Sequence, residues 1–290
     1  MTTSPSIAIA TAAEVAELDD EGKLLAQALR ARGAVVTPAV WNDADVDWAA
    51  YDLVVVRSTW DYPLHRSRFL EWAERVETTT RLLNSAELLA WNTDKRYLHD
   101  LERSGLPIVA SRFISAHDPV EHEWLDAEHV VKPSVSAGAR DTLRLGAGEA
   151  DRSRALIRDI LASGRSALIQ PYLAEVDSAG ETAMLFYDGE FSHAICKDAI
   201  LTLGSGLVEG LFAPEVITAR TPSEAEMALG RATMAAIGSV EPPLYARVDA
   251  LPSPTGPVVL EVELTEPSMF FEYAEGSAGR FADSILRRLV

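Results

Sequence analysis

The chain has one cysteine, Cys196, in 290 residues. No disulfide can form within it, and a cytosolic setting is expected. Basic residues are few: 26 Lys and Arg stand against 44 Asp and Glu, a formal net charge of −18. Such a chain repels phosphate backbones and anionic membranes at long range, and its basic residues are scattered rather than clustered. Neither nucleic acid nor a membrane is an expected partner. No apolar run is long enough to span a bilayer, and the opening MTTSPSIAIATAAEVAELDD lacks the basic start of a signal peptide. There is no internal repeat, no low-complexity tract and no Walker phosphate loop. No Ser/His/Asp or Cys/His arrangement stands out, and His193 and Cys196 read as ordinary strand residues. What is present is 48% hydrophobic residues over a length sufficient for two or three packed lobes.

The pattern begins as a small parallel α/β unit. Strands are expected at 6–11, 34–40 and 53–58, with amphipathic helices at 19–33 and 67–76. In the first helix Leu24, Leu25, Ala28 and Leu29 form the expected buried side, and Gly33 is the stop. From residue 92 the pattern changes to antiparallel α+β. Helices are expected at 92–105, 150–164, 223–238 and 279–289, and strands at 128–133 and 166–173. Asp188-Gly189 is a strong turn signal for a hairpin over 181–197. The stretch 201–222 shows no clear pattern. Lobes are expected at 1–90, 91–178 and 179–290.

The segment YARVDALPSPTGPVVLEVEL (245–264) is the most unusual. A hairpin symmetric about Thr255 sets Asp249 across from Glu261 and Arg247 across from Glu263. Alternation then gathers Tyr245, Arg247, Asp249, Val259, Glu261 and Glu263 on one face, and Leu244, Ala246, Val248, Val258, Leu260, Val262 and Leu264 on a core face. Directly opposed carboxylates, with Cβ atoms roughly 5 Å apart, destabilise a sheet. A hard divalent cation such as Mg²⁺ would compensate. The plainer reading is an exposed polar face with an Arg247–Glu263 ion pair.

Three lysines stand at structured places. Lys95 lies in the first turn of its expected helix, either as a solvated surface group or facing an anion at the helix start. Lys132 ends an apolar strand, and the small-residue loop SVSAGARDT (134–142) follows. Its backbone N–H groups could approach phosphates, although many surface loops look alike. Lys197 ends a strand of the hairpin that Glu181 begins. A plain two-residue turn puts these two on opposite faces, so a bulge is required if both touch one ligand. QPYL (170–173) reads either as a core strand or as a wall for a flat base.

This order of residues resembles the ATP-grasp superfamily over about residues 90–290, with an α/β lobe in front. RSTWDY (57–62), WNTDKRYL (91–98), KPSVSAGARDT (132–142), GETAMLFYDGEFSHAICK (180–197), YARVD (245–249) and ELTEPS (263–268) look like the branch that holds the O-ureido-D-serine cyclo-ligase of D-cycloserine biosynthesis. The resemblance implies an ATP-grasp fold: a small parallel α/β lobe, then two α+β lobes that clamp ATP. It implies that Lys95 and Lys132 hold the α- and β-phosphates. Residues 134–142, with Ser134, Ser136 and Gly138, close over the triphosphate. Gln170, Pro171, Tyr172 and Leu173 line the adenine pocket, and Glu181 binds the ribose. Lys197 reaches the terminal phosphate, and Arg247 stabilises the transferring phosphoryl group and the later oxyanion. Asp249, Glu261 and Glu263 bind two Mg²⁺ ions, with Mn²⁺ able to substitute. Relatives often carry Asn at the last of these positions. A homodimer is the common habit of such proteins.

The implied chemistry is ADP-forming ligation. ATP turns a small amino-acid-like carboxylate into an acyl phosphate, and a nitrogen attacks it to form a C–N bond. Ring closure of O-ureido-D-serine is the most specific version. Joining of two substrates, or phosphorylation of a hydroxyl on the same fold, are the alternatives. On the substrate side, Arg57 ends a strand of the first lobe, where α/β sheets place ligands, and its fork could grip a carboxylate. Ser58, Trp60, Asp61 and Tyr62 follow, with Asp61 a candidate for an ammonium group. A structural Arg57–Asp61 pair is an equal reading. Glu266 and Ser268, just past the acidic strand, are placed to face the acceptor.

Overall fold

The computed structural model describes residues 4–138, 140–199, 201, 203, 204, 216–238 and 242–289. Strands β1 (Ser6–Thr11), β2 (Val35–Val40), β3 (Leu53–Val56) and β4 (Arg81–Leu83) form a parallel sheet in the order β2-β1-β3-β4. β3 is buried throughout, as its unbroken apolar run requires of a central parallel strand. Helix α1 (Asp20–Arg30) starts at Asp19, whose carboxylate accepts from the Gly22 N–H. It buries Gly22, Leu25, Ala26 and Leu29, an i, i+3, i+4, i+7 stripe. Leu24, expected inside, is 44% exposed: it lies off that stripe by one position. Helix α2 (Arg66–Glu77) packs Phe69 and Trp72 against the other face of the sheet.

The expected helix at 92–105 begins only at Tyr97, as α4 (Tyr97–Arg103); a separate helix, α3 (Ala86–Asn92), ends at its expected start, and Lys95 lies in the turn between them. Its backbone N–H donates to Ser134 O at 2.9 Å, so the lysine is anchored to the small-residue loop rather than to a helix start. Strands β5 (Arg112–Ile114), β6 (His129–Pro133), β7 (Leu143–Leu145) and β8 (Ala167–Pro171) form an antiparallel sheet, order β5-β8-β6-β7, covered by α5 (Ala150–Ala162).

After the single turn α6 (Val176–Ala179) comes the third sheet. It holds β9 (Glu181–Tyr187), β10 (Glu190–Lys197), β11 (Ile217–Arg220), β12 (Tyr245–Leu251) and β13 (Val258–Glu263), all antiparallel, in the order β11-β10-β9-β12-β13. β11 falls in the stretch 201–222 that showed no pattern; residues 202 and 205–215 of that stretch lie outside the described residues. Helix α7 (Glu224–Ala236) packs Leu229 against the core face of β9 and β12, where Met184, Phe186, Ala246 and Val248 lie. Helix α8 (Ser277–Arg287) packs with α1 on the opposite face. Among the described residues no helix is long and apolar enough to cross a membrane.

Two bulges set the faces of this sheet. β10 slips by one residue between Phe191 and His193, so Lys197 lies directly opposite Glu181. β13 slips beside the pair Asp249–Glu261, so Ala250 faces Val259. Val259 is therefore in the core with Ala250, while Leu260 turns to the charged side: the reverse of the symmetric expectation. Val258 also leaves the expected core face and packs with Val109 and Leu251.

β13 is an edge strand; its open side is closed at Val259 by backbone bonds to Pro107 and Val109, and further along by side chains. Val262 N–H donates to the Tyr97 hydroxyl at 2.8 Å, and Val262 O accepts from Asn92 Nδ2 at 2.6 Å and from Tyr97 at 2.9 Å. Leu264 N–H donates to Asn92 Oδ1 at 2.7 Å. The strand carrying Glu261 and Glu263 is thus pinned at the residue between them.

Candidate active site

The three sheets meet around a cavity of about 250 Å³. One end is charged. Lys95, Lys132, Lys197 and Arg247 line it together with Glu181, Asp249, Glu261 and Glu263. The other end is largely apolar, with Val109, Tyr172, Leu173, Val176, Leu251 and Leu260 on its wall.

The hairpin register brings the charges together as its alternation implies. Arg247 pairs across from Glu263 and Asp249 from Glu261. Arg247 donates to Asp249 through Nε at 2.8 Å and Nη2 at 2.8 Å, and also contacts Glu263. Lys197 Nζ donates to Asp249 Oδ2 at 3.0 Å and pairs with Glu181. Lys95 Nζ is 3.5 Å and Lys132 Nζ 3.9 Å from Glu261 Oε2. Opposed carboxylates on β12 and β13 are therefore compensated, each by its own pair of cations. The exposed-face reading of this hairpin does not hold: Arg247 and Asp249 are 6% and 2% exposed.

Burial pushes every carboxylate here upward, and the neighbouring cations decide the outcome. Around Asp249, Arg247 and Lys197 outweigh burial and hold the carboxyl well below its usual range. Around Glu261, Lys95 and Lys132 do the same, to about 2. At Glu263 burial and the charges of Glu261 and Asp249 outweigh Arg247 and the weaker pull of Lys197, and the carboxyl is pushed up to about 8. Glu181 rises to about 7 through burial, against the pull of Lys197. Burial lowers Lys132 despite the nearby Glu261.

One oxygen each from Asp249, Glu261 and Glu263 lie within 4.8 Å of one another. These are hard donors at a spacing that suits Mg²⁺, and a divalent cation would offset the crowding of carboxylates that raises Glu263.

The remaining expected residues divide. Ser136 and Gly138 lie on the cavity wall, and Lys95 Nζ donates to Ser136 O at 3.2 Å and to its Oγ at 3.3 Å. Residue 139 of the same loop lies outside the described residues. Gln170, Pro171, Tyr172 and Leu173 line the cavity, with Gln170 held by Ser111. Trp60, Tyr62, Glu266 and Ser268 line it as well. Ser134, Arg57, Ser58 and Asp61 do not. Ser134 is buried with its backbone tied to Lys95 and Ser166. Arg57 is 2% exposed and pairs with Glu21 at 3.5 Å, not with Asp61. Asp61 accepts from Trp41 Nε1 at 2.7 Å, and Ser58 donates to Asp19. Neither the ammonium role of Asp61 nor the Arg57–Asp61 pair matches this geometry. The pattern missed Asn92, Tyr97, Leu201 and Phe270, which also line the cavity. Asn92 and Tyr97 fall within WNTDKRYL (91–98), which assigned them no role, and Leu201 and Phe270 belong to no motif; long-range contacts bring them in.

Three such sheets around a charged cleft are those of an ATP-grasp ligase. A D-alanine–D-alanine ligase from Bacillus anthracis, solved with ATP, superposes with a TM-score of 0.72 at 15% identity over 99% of this chain and 97% of that one. An ATP-grasp RimK domain protein from Sphaerobacter thermophilus gives 0.69 at 15% identity, over 97% of this chain and 99% of that one. These share the fold. A family model for the N-terminal domain of D-cycloserine synthetase DcsG matches residues 7–84. The cycloserine biosynthesis protein DcsG of Streptomyces lavendulae is 33% identical over 296 aligned residues, covering 98% of each chain. The crystal structure of D-cycloserine synthetase DcsG superposes with a TM-score of 0.89 at 32% identity, over 98% of this chain and 100% of that one. The chain belongs to the DcsG family, and it is an ATP-dependent ligase.

Proposed function

We propose that the protein activates a small amino-acid-like carboxylate as an acyl phosphate and closes a C–N bond on it, with O-ureido-D-serine as the substrate. The observation that carries this is the convergence of Lys95, Lys132, Lys197 and Arg247 with Asp249, Glu261 and Glu263 on one cavity. Alignment over 98% of the chain with a relative named for cycloserine biosynthesis supports the choice of substrate.

In this reading the base lies at the apolar end, against Tyr172 and Leu173, and the triphosphate runs toward the lysines. Lys95 ties the small-residue loop, through Ser136, to the phosphate path. Asp249, Glu261 and Glu263 would hold two Mg²⁺ ions, or Mn²⁺ in their place, which supply charge neutralisation for the phosphate oxygens. Lys197 and Arg247 converge on Asp249 and lie beside the atoms that exchange. The substrate carboxylate takes the terminal phosphoryl group and ADP leaves. A nitrogen of the substrate then attacks the acyl carbon, phosphate departs, and Arg247 steadies the oxyanion. With O-ureido-D-serine the ring closes through the nitrogen bonded to oxygen, and water must then remove the carbamoyl group for cycloserine to result. Trp60, Tyr62, Glu266 and Ser268 face this end and shape its specificity.

The test is to incubate the protein with ATP, Mg²⁺ and O-ureido-D-serine and to measure ADP, free phosphate and the cyclic product separately. Equal amounts of all three are expected. ADP without free phosphate would point to a kinase, and ADP only on addition of a second amine to an intermolecular ligase.

A further inference from the structure

Arg144 sits in the short strand β7, away from the charged end of the cavity, and its guanidinium is fully engaged. Nε donates to Glu128 at 2.6 Å, and Nη2 donates to Asp177 at 2.9 Å. Nη1 reaches the Tyr172 hydroxyl at 2.8 Å, Asp177 at 2.9 Å and the carbonyl of Leu201 at 3.1 Å. Its plane lies over the Tyr172 ring, 3.5 Å from the centroid. Tyr172 is tied in twice more, through its hydroxyl to Asp177 at 2.5 Å and through its N–H to Glu128 O at 3.0 Å. The side chain of Arg144 is only 12% exposed.

Both residues that Arg144 holds by direct contact at this end, Tyr172 and Leu201, are on the cavity wall. They come from different lobes: Tyr172 follows β8, and Leu201 follows the strand that ends in Lys197. We infer that Arg144 is the positioning residue of the nucleobase, clamping the two walls of the apolar slot at the width of a purine and setting the depth to which it enters. The planar fork and the stacking face are both used, which a lysine could not reproduce. This deepens the reading of residues 170–173 as the adenine wall and rests on it.

Equilibrium binding tests the clamp without turnover. A non-hydrolysable ATP analogue, its guanine counterpart and inorganic tripolyphosphate are titrated into the wild type, Arg144→Gln, Arg144→Lys and Asp177→Asn. The adenine analogue should weaken about tenfold or more in both Arg144 variants, the scale of a lost desolvated cation–π contact and its hydrogen bonds. Preference for adenine over guanine should shrink, while tripolyphosphate binding stays at the wild-type value. Asp177 is on the exposed side of the clamp, so Asp177→Asn covers the case of an Arg144 variant that does not fold; it should move affinity the same way by a smaller factor. Folded variants with wild-type affinity and base preference would overturn the inference. So would equal weakening of the adenine analogue and tripolyphosphate, which marks a general structural loss. A wild type that binds tripolyphosphate with no gain from the adenine would overturn the underlying site reading, and the clamp with it.

Discussion

Glu261→Gln keeps the shape of the side chain and removes one charge from the middle of the site. In the native protein that charge faces Lys95 at 3.5 Å and Lys132 at 3.9 Å, and it supplies one of three clustered carboxylate oxygens. A unit pair near 4 Å is worth about 4 kcal/mol at an effective dielectric constant of about 20, before desolvation is subtracted. Part of this is lost at once, and Lys132, which burial already lowers, loses the group that most opposes that shift. The larger effect is on the metal. Disturbing even the outer partners of a metal ligand costs about 10–100-fold in affinity or activity, and here a direct donor goes. We expect kcat/KM for ADP release to fall by about 10³-fold, roughly 4 kcal/mol, at ordinary Mg²⁺. Raising Mg²⁺ should recover part of the rate, because Asp249 and Glu263 remain. The fold should persist, since the residue lines a cavity rather than the core, while the melting temperature falls by the share of the ion-pair energy that is lost. Wild-type rates at low Mg²⁺ in the folded variant would refute the metal assignment.

Other perturbations reach the site through the backbone. Gly180 has φ of +71°, and a Cβ there would clash with Cys196 Sγ and lie 2.8 Å from Lys197 O, so Gly180→Ala should cost about 1–3 kcal/mol in chemical denaturation and reduce turnover by displacing Lys197. An unchanged denaturation midpoint would contradict this. Inserting one alanine after Ala194 shifts the rest of β10 by one position and moves Lys197 from its place opposite Glu181 to the other face of the sheet; ADP release should vanish, and retained activity would show that the Glu181–Lys197 register is dispensable. His193 is buried, which lowers its pKa, and its Nε2 lies 2.9 Å from Met269 O. The unfolded chain takes up this proton near pH 6.5 while the folded chain resists it, so stability is full above that pH and declines as pH falls below it. In melting curves from neutral to mildly acidic pH, His193→Gln should show a shallower decline than the wild type, and parallel curves would assign the slope elsewhere.

Much of the site could be read from residue order because its parts are local. An acidic hairpin declares its own register through alternation, and Arg247, Asp249, Glu261 and Glu263 stand as that register requires. The bulge that puts Lys197 beside Glu181 follows from the turn at Asp188-Gly189 together with the need for both to touch one ligand. The bulge at Leu260 leaves no such mark: neither a glycine nor a charge signals it, and it reverses the roles of Val259 and Leu260. Asn92 and Tyr97 were equally hidden, since they satisfy Val262 and Leu264 across more than 160 positions. Arg57 and Asp61 are close in sequence, so a mutual pair was a natural reading, yet each finds its partner in α1 or beyond β2. Lys95 was legible as a candidate site residue, and it lines the cavity, but not as a turn residue, because a helical period over 92–105 conceals the break that the Ser134 carbonyl stabilises.

The most direct measurement follows oxygen. O-ureido-D-serine labelled with ¹⁸O in its carboxylate is converted with unlabelled ATP, and the released phosphate is examined by mass spectrometry. Activation through an acyl phosphate transfers one labelled oxygen to each phosphate. Phosphate released without label, alongside product, would contradict the account.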